Sequence, residues 1–151
     1  MAGDSLKARI EQDMKAALKA RDQRRLRALR LVLAALQQKE KEGGGGLDEA
    51  AAIAVLERLA KQRREAAEQY EAAGRAEQAE QERYELELVR SYLPEPLDEA
   101  ELERLVEEAL AATGAQGMRD MGKVMGWLKP RVQGRADMGA LSARVKARLG
   151  G

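Results

Sequence analysis

Apolar residues recur at helical spacing along the first part of the chain. From Leu6 to Leu18 every fourth residue is apolar, which predicts an amphipathic helix over residues 5–20. A second apolar stripe runs from Leu26 to Leu36 with the same kind of period. These two stripes predict a pair of helices that bury their apolar sides against the rest of the domain.

Capping and helix-breaking residues predict where the helices of this first part begin and end. Asp22 can cap the second helix, and the four glycines from Gly43 to Gly46 end it in a flexible connection. A third helix restarts at Asp48, with Gly74 as its predicted C-cap. A fourth helix then completes an N-terminal helical domain, an antiparallel bundle over residues 1–93.

A domain boundary is predicted at Pro94-Glu95-Pro96, because proline disfavours the helical conformation of the residue before it. Asp98 and Glu101 follow at the spacing of a capping box, so a new helix should begin sharply. The second unit then covers residues 97–151. Its three helices are predicted over about residues 98–112, 118–129 and 137–149.

The composition supports the same fold class. Alanine, leucine, arginine and glutamate dominate, only three residues are proline, and β-branched residues are few. Phenylalanine is absent, so any core must be mainly aliphatic. We therefore predict an all-α protein, an N-terminal antiparallel helical bundle followed by a small three-helix C-terminal domain.

The residue types that are absent exclude several kinds of chemistry. The chain contains no histidine and no cysteine, which removes the usual general base, the thiolate nucleophile and nearly every zinc or redox site. We expect no cofactor, no metal and no catalytic residue. No segment has the roughly 20 consecutive apolar residues of a membrane span, and the first residues do not resemble a signal peptide. We expect a cytoplasmic protein without a membrane partner.

The net charge of +1 is the sum of strongly charged segments of opposite sign. Residues 1–41 carry a net charge of +6, residues 42–93 of −5, residues 94–115 of −6 and residues 116–151 of +6. For the first basic segment we favour neutralisation by packed acidic helices. For the last one we favour a surface that binds phosphates, because its cations recur at helical spacing beside a tryptophan.

Two features of the last segment are interpreted as packing. Gly122 and Gly126 stand four residues apart, so another helix could approach closely there, but this spacing is a weak signal for a ligand. The methionines Met118, Met121 and Met125 fall on one stripe and are typical of a core.

The cations of the last segment are the candidate binding residues. Arg119, Lys123 and Trp127 follow each other at four-residue spacing, so one helix face would carry two cations and an aromatic ring. More cations follow through a turn expected around Pro130 and Gly134. Such a face would grip phosphates, and the indole could stack on a base; a solvated face on an arginine-rich protein is the equal alternative. The candidate RNA-binding residues are Arg119, Lys123, Trp127, Lys129, Arg131, Arg135, Arg144 and Arg148.

Three motifs resemble those of a known family. They are the run from Asp120 to Asp137 with its Gly-Lys-Val-Met-Gly and Gly-Arg-Ala-Asp parts, the run from Arg90 to Leu97, and Lys61-Gln-Arg-Arg-Glu65. Over essentially the whole chain the sequence resembles the GatB/YqeY family, specifically its stand-alone YqeY-like proteins. The resemblance implies a helical N-terminal domain and a small tail domain related to that of the aspartyl/glutamyl-tRNA amidotransferase B subunit.

The resemblance also implies a function. In the amidotransferase the tail domain helps to recognise transfer RNA, and the family is associated with carbon-nitrogen ligase activity that uses glutamine as amido-N-donor. This chain has no counterpart of the separate catalytic domain. We therefore expect a non-catalytic protein that binds transfer RNA or a similar structured RNA. The alternatives are a protein-interaction adaptor, with the amidotransferase or another protein as partner, and an accessory to the ligase activity.

Overall fold

The computed structural model describes residues 2–150, with side chains from Leu6 onward. This part of the chain contains seven α-helices, one 3-10 turn and no strand, so the predicted all-α class is confirmed. The elements are α1 (Ala2–Lys19), α2 (Gln23–Glu42), α3 (Glu49–Ala72), α4 (Ala76–Arg90), α5 (Glu99–Thr113), the 3-10 turn (Met118–Asp120), α6 (Met121–Val132) and α7 (Met138–Gly150). Met1 and Gly151, the outer ends of the two predicted domains, lie outside the described residues.

The chain divides into two compact units, and the boundary lies between Leu93 and Pro94. The first unit contains α1 to α4, and its core is built mainly from alanine, leucine and valine. The second contains α5 to α7 and has a separate small core. The second unit is the smaller of the two, so a larger fraction of its residues lies at the surface and each buried side chain matters more to its stability.

The first apolar stripe faces the core except at its end. Leu6 and Ile10 are buried as predicted, but Leu18 is 58% exposed and Ala17 takes the inward position instead. The α-helix has 3.6 residues per turn, so a strict four-residue spacing rotates by about 40° at each step. After three steps Leu18 points about 120° away from Leu6, whereas Ala17 returns to the inner side.

Local signals set most helix ends in the first unit. The carboxylates of Asp22 and Asp48 each accept a backbone N–H from three residues further on, at 3.1 and 2.8 Å. The predicted N-cap Asp22 is therefore confirmed, and Asp48 caps α3 in the same way. Gly44 and Gly45 have positive φ angles, as expected where the glycine run ends α2. Gly74 also has a positive φ, but it lies one residue beyond the C-cap of α3.

The second unit begins with the predicted capping box. The Asp98 carboxylate accepts the backbone N–H of Glu101 at 2.8 Å, and the Glu101 side chain accepts that of Asp98 at 3.3 Å. The helix ends at Gly114, which adopts the left-handed conformation with a φ of 65°. Both ends of α5 are therefore defined by residues that the sequence already identified.

The prediction that α6 ends before Pro130 is wrong. The helix continues through Pro130 to Val132, although proline lacks the N–H that would bond to the carbonyl four residues earlier. Pro130 lies in the last turn, so only one helical hydrogen bond is lost. Val132 is completely buried, and its burial offsets that loss.

Loss of the Asp98 cap is expected to destabilise the second unit by about 1 kcal/mol. The variant Asp98→Ala leaves a backbone N–H at the start of α5 without its carboxylate partner. Urea unfolding followed by the fluorescence of Trp127, the single tryptophan, measures the effect. Asp98→Ser keeps a side-chain oxygen and should retain most of the stability; equal losses in both variants would contradict the capping role.

Candidate nucleic-acid interface

Helix α6 has a clearly defined inner side. Val124, Leu128 and Val132 lie four residues apart and are completely buried. They pack with residues of α5 and α7, including Val106 and Val145, in the core of the second unit. This inner side determines which residues of α6 face outward.

The outward side of α6 carries an open stripe of residues without long side chains, namely Gly122, Gly126 and Pro130. All three are exposed. A Cβ atom added at Gly122 or Gly126 would meet no atom within 4 Å other than the backbone of its own helix. No other helix of the described structure therefore packs closely against either glycine. The packing interpretation of the two glycines is therefore wrong.

Two lysines lie on either side of this open stripe. At 100° per residue, Lys123 follows Gly122 on one side and Lys129 lies on the other, and both are exposed. The Lys123 Nζ atom lies 3.9 Å from a carboxylate oxygen of Asp120, and the lysine side chain remains 71% exposed. Lys129 makes no ion pair among the described residues. Both amines can therefore reach an anion above the stripe.

The 3-10 turn before α6 places Arg119 outside that helix. Arg119 is exposed, but it does not continue the regular spacing of Lys123 and Trp127 that the sequence suggested. The neighbouring carboxylate of Asp120 accepts the backbone N–H of Gln116 at 2.9 Å. This hydrogen bond, together with Lys123 and Arg119, holds the pKa of Asp120 below its usual value. Asp120 thus stays ionised and fixes the turn.

Trp127 is half-buried and packs against the core of the second unit. The guanidinium of Arg131 lies 3.7 Å from the centroid of the indole ring, and its Nη1 donates to the Trp127 carbonyl at 2.5 Å. One face of the ring is thus covered by a cation from the same helix. A base stacking at this position would contact the exposed guanidinium of Arg131 first.

Arg135 is held by the first residues of the second unit. Its Nε donates to the carbonyl of Glu95 at 2.9 Å, and its own carbonyl accepts the N–H of Leu97 at 2.9 Å. Its side chain is half-buried. Arg135 therefore fixes the segment from Glu95 to Leu97 that precedes α5.

The two arginines of α7 face the acidic residues of α5. Arg144 pairs with Glu99 and Glu103, and Arg148 pairs with Glu103 and Glu107. Hydrogen bonds to Glu99 and Glu103 raise the pKa of Arg144 above its usual value. These pairs are at least partly exposed, so each contributes little to stability, but they reduce the positive charge that α7 presents to a ligand.

The candidate residues thus divide into two groups. Arg119, Lys123, Trp127, Lys129 and Arg131 lie on the 3-10 turn and α6, whereas Arg135, Arg144 and Arg148 are engaged elsewhere in the unit. From Met121 to Gly150 the chain has a single acid, Asp137, and its carboxylate accepts the N–H of Ala140 at the start of α7. The outward side of α6 is therefore basic, and the acid next to it is Asp120, 3.9 Å from Lys123.

The chemistry open to this surface is the binding of anions. The part of the chain that the structure describes has no cluster of three or more acidic, histidine or cysteine residues that could hold a metal. None of its helices combines the length and apolar character needed to cross a bilayer. Exposed amines and a guanidinium around a stripe without long side chains fit the phosphate groups of a nucleic acid.

The family model for Yqey-like proteins matches residues 7–149, nearly the whole chain. No curated protein matches the chain.

Proposed function

The chain belongs to the Yqey-like protein family, and from this premise we propose that it binds transfer RNA or a similarly structured RNA through the outward side of α6. The protein has no catalytic step of its own in this proposal. The RNA backbone lies along the open stripe of Gly122, Gly126 and Pro130.

One observation carries the proposal, the position of Lys123 and Lys129 beside a stripe that lacks long side chains. Phosphate contacts supply most of the affinity of nucleic-acid complexes, and amines on flexible stems suit that role. The two lysines can approach phosphates from both sides, because no long side chain stands between them. Their binding would be largely independent of RNA sequence, since phosphate contacts carry no sequence information.

Arg131 supplies the second kind of contact in this proposal. Its guanidinium is planar and already stacked on the indole of Trp127 at 3.7 Å. A planar cation that is fixed in this way loses little freedom when an unpaired base stacks on its outer face. Arg135, Arg144 and Arg148 contribute less, because the structure engages them with other residues of the unit.

The test is a titration of the full chain with total transfer RNA at 50 and 200 mM salt. Replacing both lysines, in the variant Lys123→Gln/Lys129→Gln, should weaken binding about tenfold at the lower salt. It should also reduce the slope of log K against log salt by roughly 1.5 to 2, the value for two lost phosphate contacts. The matched control is Arg58→Gln/Arg75→Gln, which removes two exposed cations from the first unit.

Three results would contradict the proposal. The first is the absence of binding at low salt, and the second is an equal loss of affinity in the control. The third is co-purification of a protein partner that survives nuclease and high salt while transfer RNA does not bind; this would favour the adaptor function.

A further inference from the structure

The first unit has a strongly basic stretch in which most cations make no ion pair with an acid among the described residues. From Lys15 to Arg30 the chain contains seven cations and one acid, Asp22. Within this stretch the ion pairs of the described residues involve Arg24 alone, which pairs with Glu80. The favoured interpretation of neutralisation by packed acidic helices therefore holds at Arg24, whereas the other six cations of the stretch make no ion pair among the described residues. Its exposed cations, which we name the basic corner, are Lys15, Lys19, Arg21, Arg27 and Arg30.

The fold gathers these residues at one end of the first unit. Helices α1 and α2 pack against each other and are joined by three residues only, so the end of α1 lies beside the beginning of α2. Asp22, the one acid of the stretch, directs its carboxylate to the N–H of Arg25 at 3.1 Å. Its charge is thus used to cap α2.

Arg21 occupies an unusual backbone conformation in the middle of this corner. Its φ is 58°, and it is the only residue other than glycine with a positive φ among the described residues. The N–H of Arg21 bonds to the Leu18 carbonyl at 3.1 Å, and the N–H of Asp22 to the Ala17 carbonyl at 2.9 Å. These two bonds form a Schellman motif, whose left-handed position is usually glycine.

Arginine at this position is therefore not explained by the turn itself. A Cβ atom destabilises the left-handed conformation, and the chain uses glycine at its other positive-φ positions, such as Gly74 and Gly114. Residues in strained conformations are often retained for a contact outside the fold. At Arg21 the only group that glycine would lack is the exposed, charged side chain.

We propose that the basic corner is a second phosphate-binding surface, separate from α6, which contacts the backbone of RNA. The identity of the ligand rests on the function proposed above. Five exposed cations without acid partners could neutralise several phosphates, and the guanidinium groups of Arg21, Arg27 and Arg30 match phosphate oxygens in pairs.

Phosphates of RNA fit this surface better than those of a membrane. A helix that lies on a bilayer needs a continuous apolar face toward the lipid. The apolar sides of α1 and α2 are already used in the core of the unit, and the corner offers only Leu18 and Leu31 as exposed large apolar residues, 58% and 49% exposed. Charge without a broad apolar face favours a hydrated polyanion.

The first test removes charge from the corner in the full chain. The variant Arg27→Gln/Arg30→Gln should weaken the binding of total transfer RNA about tenfold at 50 mM salt and lower the salt slope by roughly 1.5 to 2. The control Arg58→Gln/Arg75→Gln loses the same charge from other exposed positions and should change the affinity much less.

The second test separates binding from stability at Arg21. Arg21→Gly should raise the urea midpoint of unfolding, because glycine accepts the left-handed conformation, and yet weaken transfer RNA binding about threefold. Arg21→Lys keeps the charge but not the paired contacts of the guanidinium, and it should bind more tightly than the glycine variant. A glycine variant that binds as tightly as the original chain would overturn the proposal.

The proposals for the α6 surface and for the basic corner can be contradicted independently of each other. An effect of Lys123→Gln/Lys129→Gln without an effect of Arg27→Gln/Arg30→Gln overturns the basic corner and leaves the α6 surface. The reverse result supports the corner and removes the α6 surface. Absence of any transfer RNA binding overturns both. If Arg27→Gln/Arg30→Gln loses binding to phosphatidylserine vesicles but binds transfer RNA as tightly as the original chain, the corner is not an RNA surface and contacts a membrane instead.

Discussion

Replacing Leu128 with alanine is expected to destabilise the second unit by about 3 kcal/mol. Leu128 is the largest completely buried side chain of this unit, where it lies between α5 and α7. Its truncation removes apolar burial and leaves a cavity that the neighbouring valines can fill only partly. A unit of this size has little stability to lose, so a substantial part of it should be unfolded near body temperature.

The fluorescence of Trp127 measures this loss directly, because the single tryptophan is next to Leu128 and reports on the second unit alone. The matched control is Met118→Ala in the same unit, which truncates a methionine that is 44% exposed and should change stability by less than about 1 kcal/mol. An effect of Leu128→Ala as small as that of the control would mean that the assigned inner side of α6 is wrong, and with it the assigned outer side.

Most helix ends, although not that of α6, were predictable from the sequence, because the signals that set them lie within a few residues. Asp22, Asp98 and Gly114 act through hydrogen bonds or backbone angles of their own turn. No distant contact is needed to recognise such a residue. The fold class follows for the same reason, since helix propensity and period are local properties.

The direction in which some side chains face was not predictable in the same way. Leu18 belongs to a regular apolar stripe and is nevertheless exposed, because the stripe rotates around α1 and the helix ends there. Gly122 and Gly126 have the spacing of a packing motif but lie opposite the core. Spacing gives the relative positions of residues on a helix, whereas the neighbouring helices determine which side is buried.

The candidate site was predictable as a basic segment but not as a surface. Arg144 and Arg148 seemed equivalent to Lys123 and Lys129 by charge and spacing. The structure distinguishes them, because glutamates of α5 more than 40 residues earlier pair with the two arginines. The positive φ of Arg21 is likewise invisible in a sequence where arginine is common.

The double variant Gly122→Ala/Gly126→Ala is expected to raise the free energy of unfolding of the second unit by about 1 to 2 kcal/mol. Glycine weakens a helix because its unfolded backbone is freer, and alanine removes that disadvantage. The added methyl groups would meet no atom within 4 Å beyond the helix backbone. Urea unfolding followed by Trp127 fluorescence measures the change.

Gly114→Ala provides the opposite control, since the φ of 65° at Gly114 makes any β-carbon unfavourable and the variant should lose stability. Loss of stability in the double variant would show that another helix does approach the stripe. We expect the double variant to gain stability and to bind transfer RNA more weakly, because its methyl groups stand where the backbone of the RNA would lie. If the double variant gains stability and its affinity for transfer RNA is unchanged, Lys123 and Lys129 bind the RNA without contact between the RNA and the open stripe.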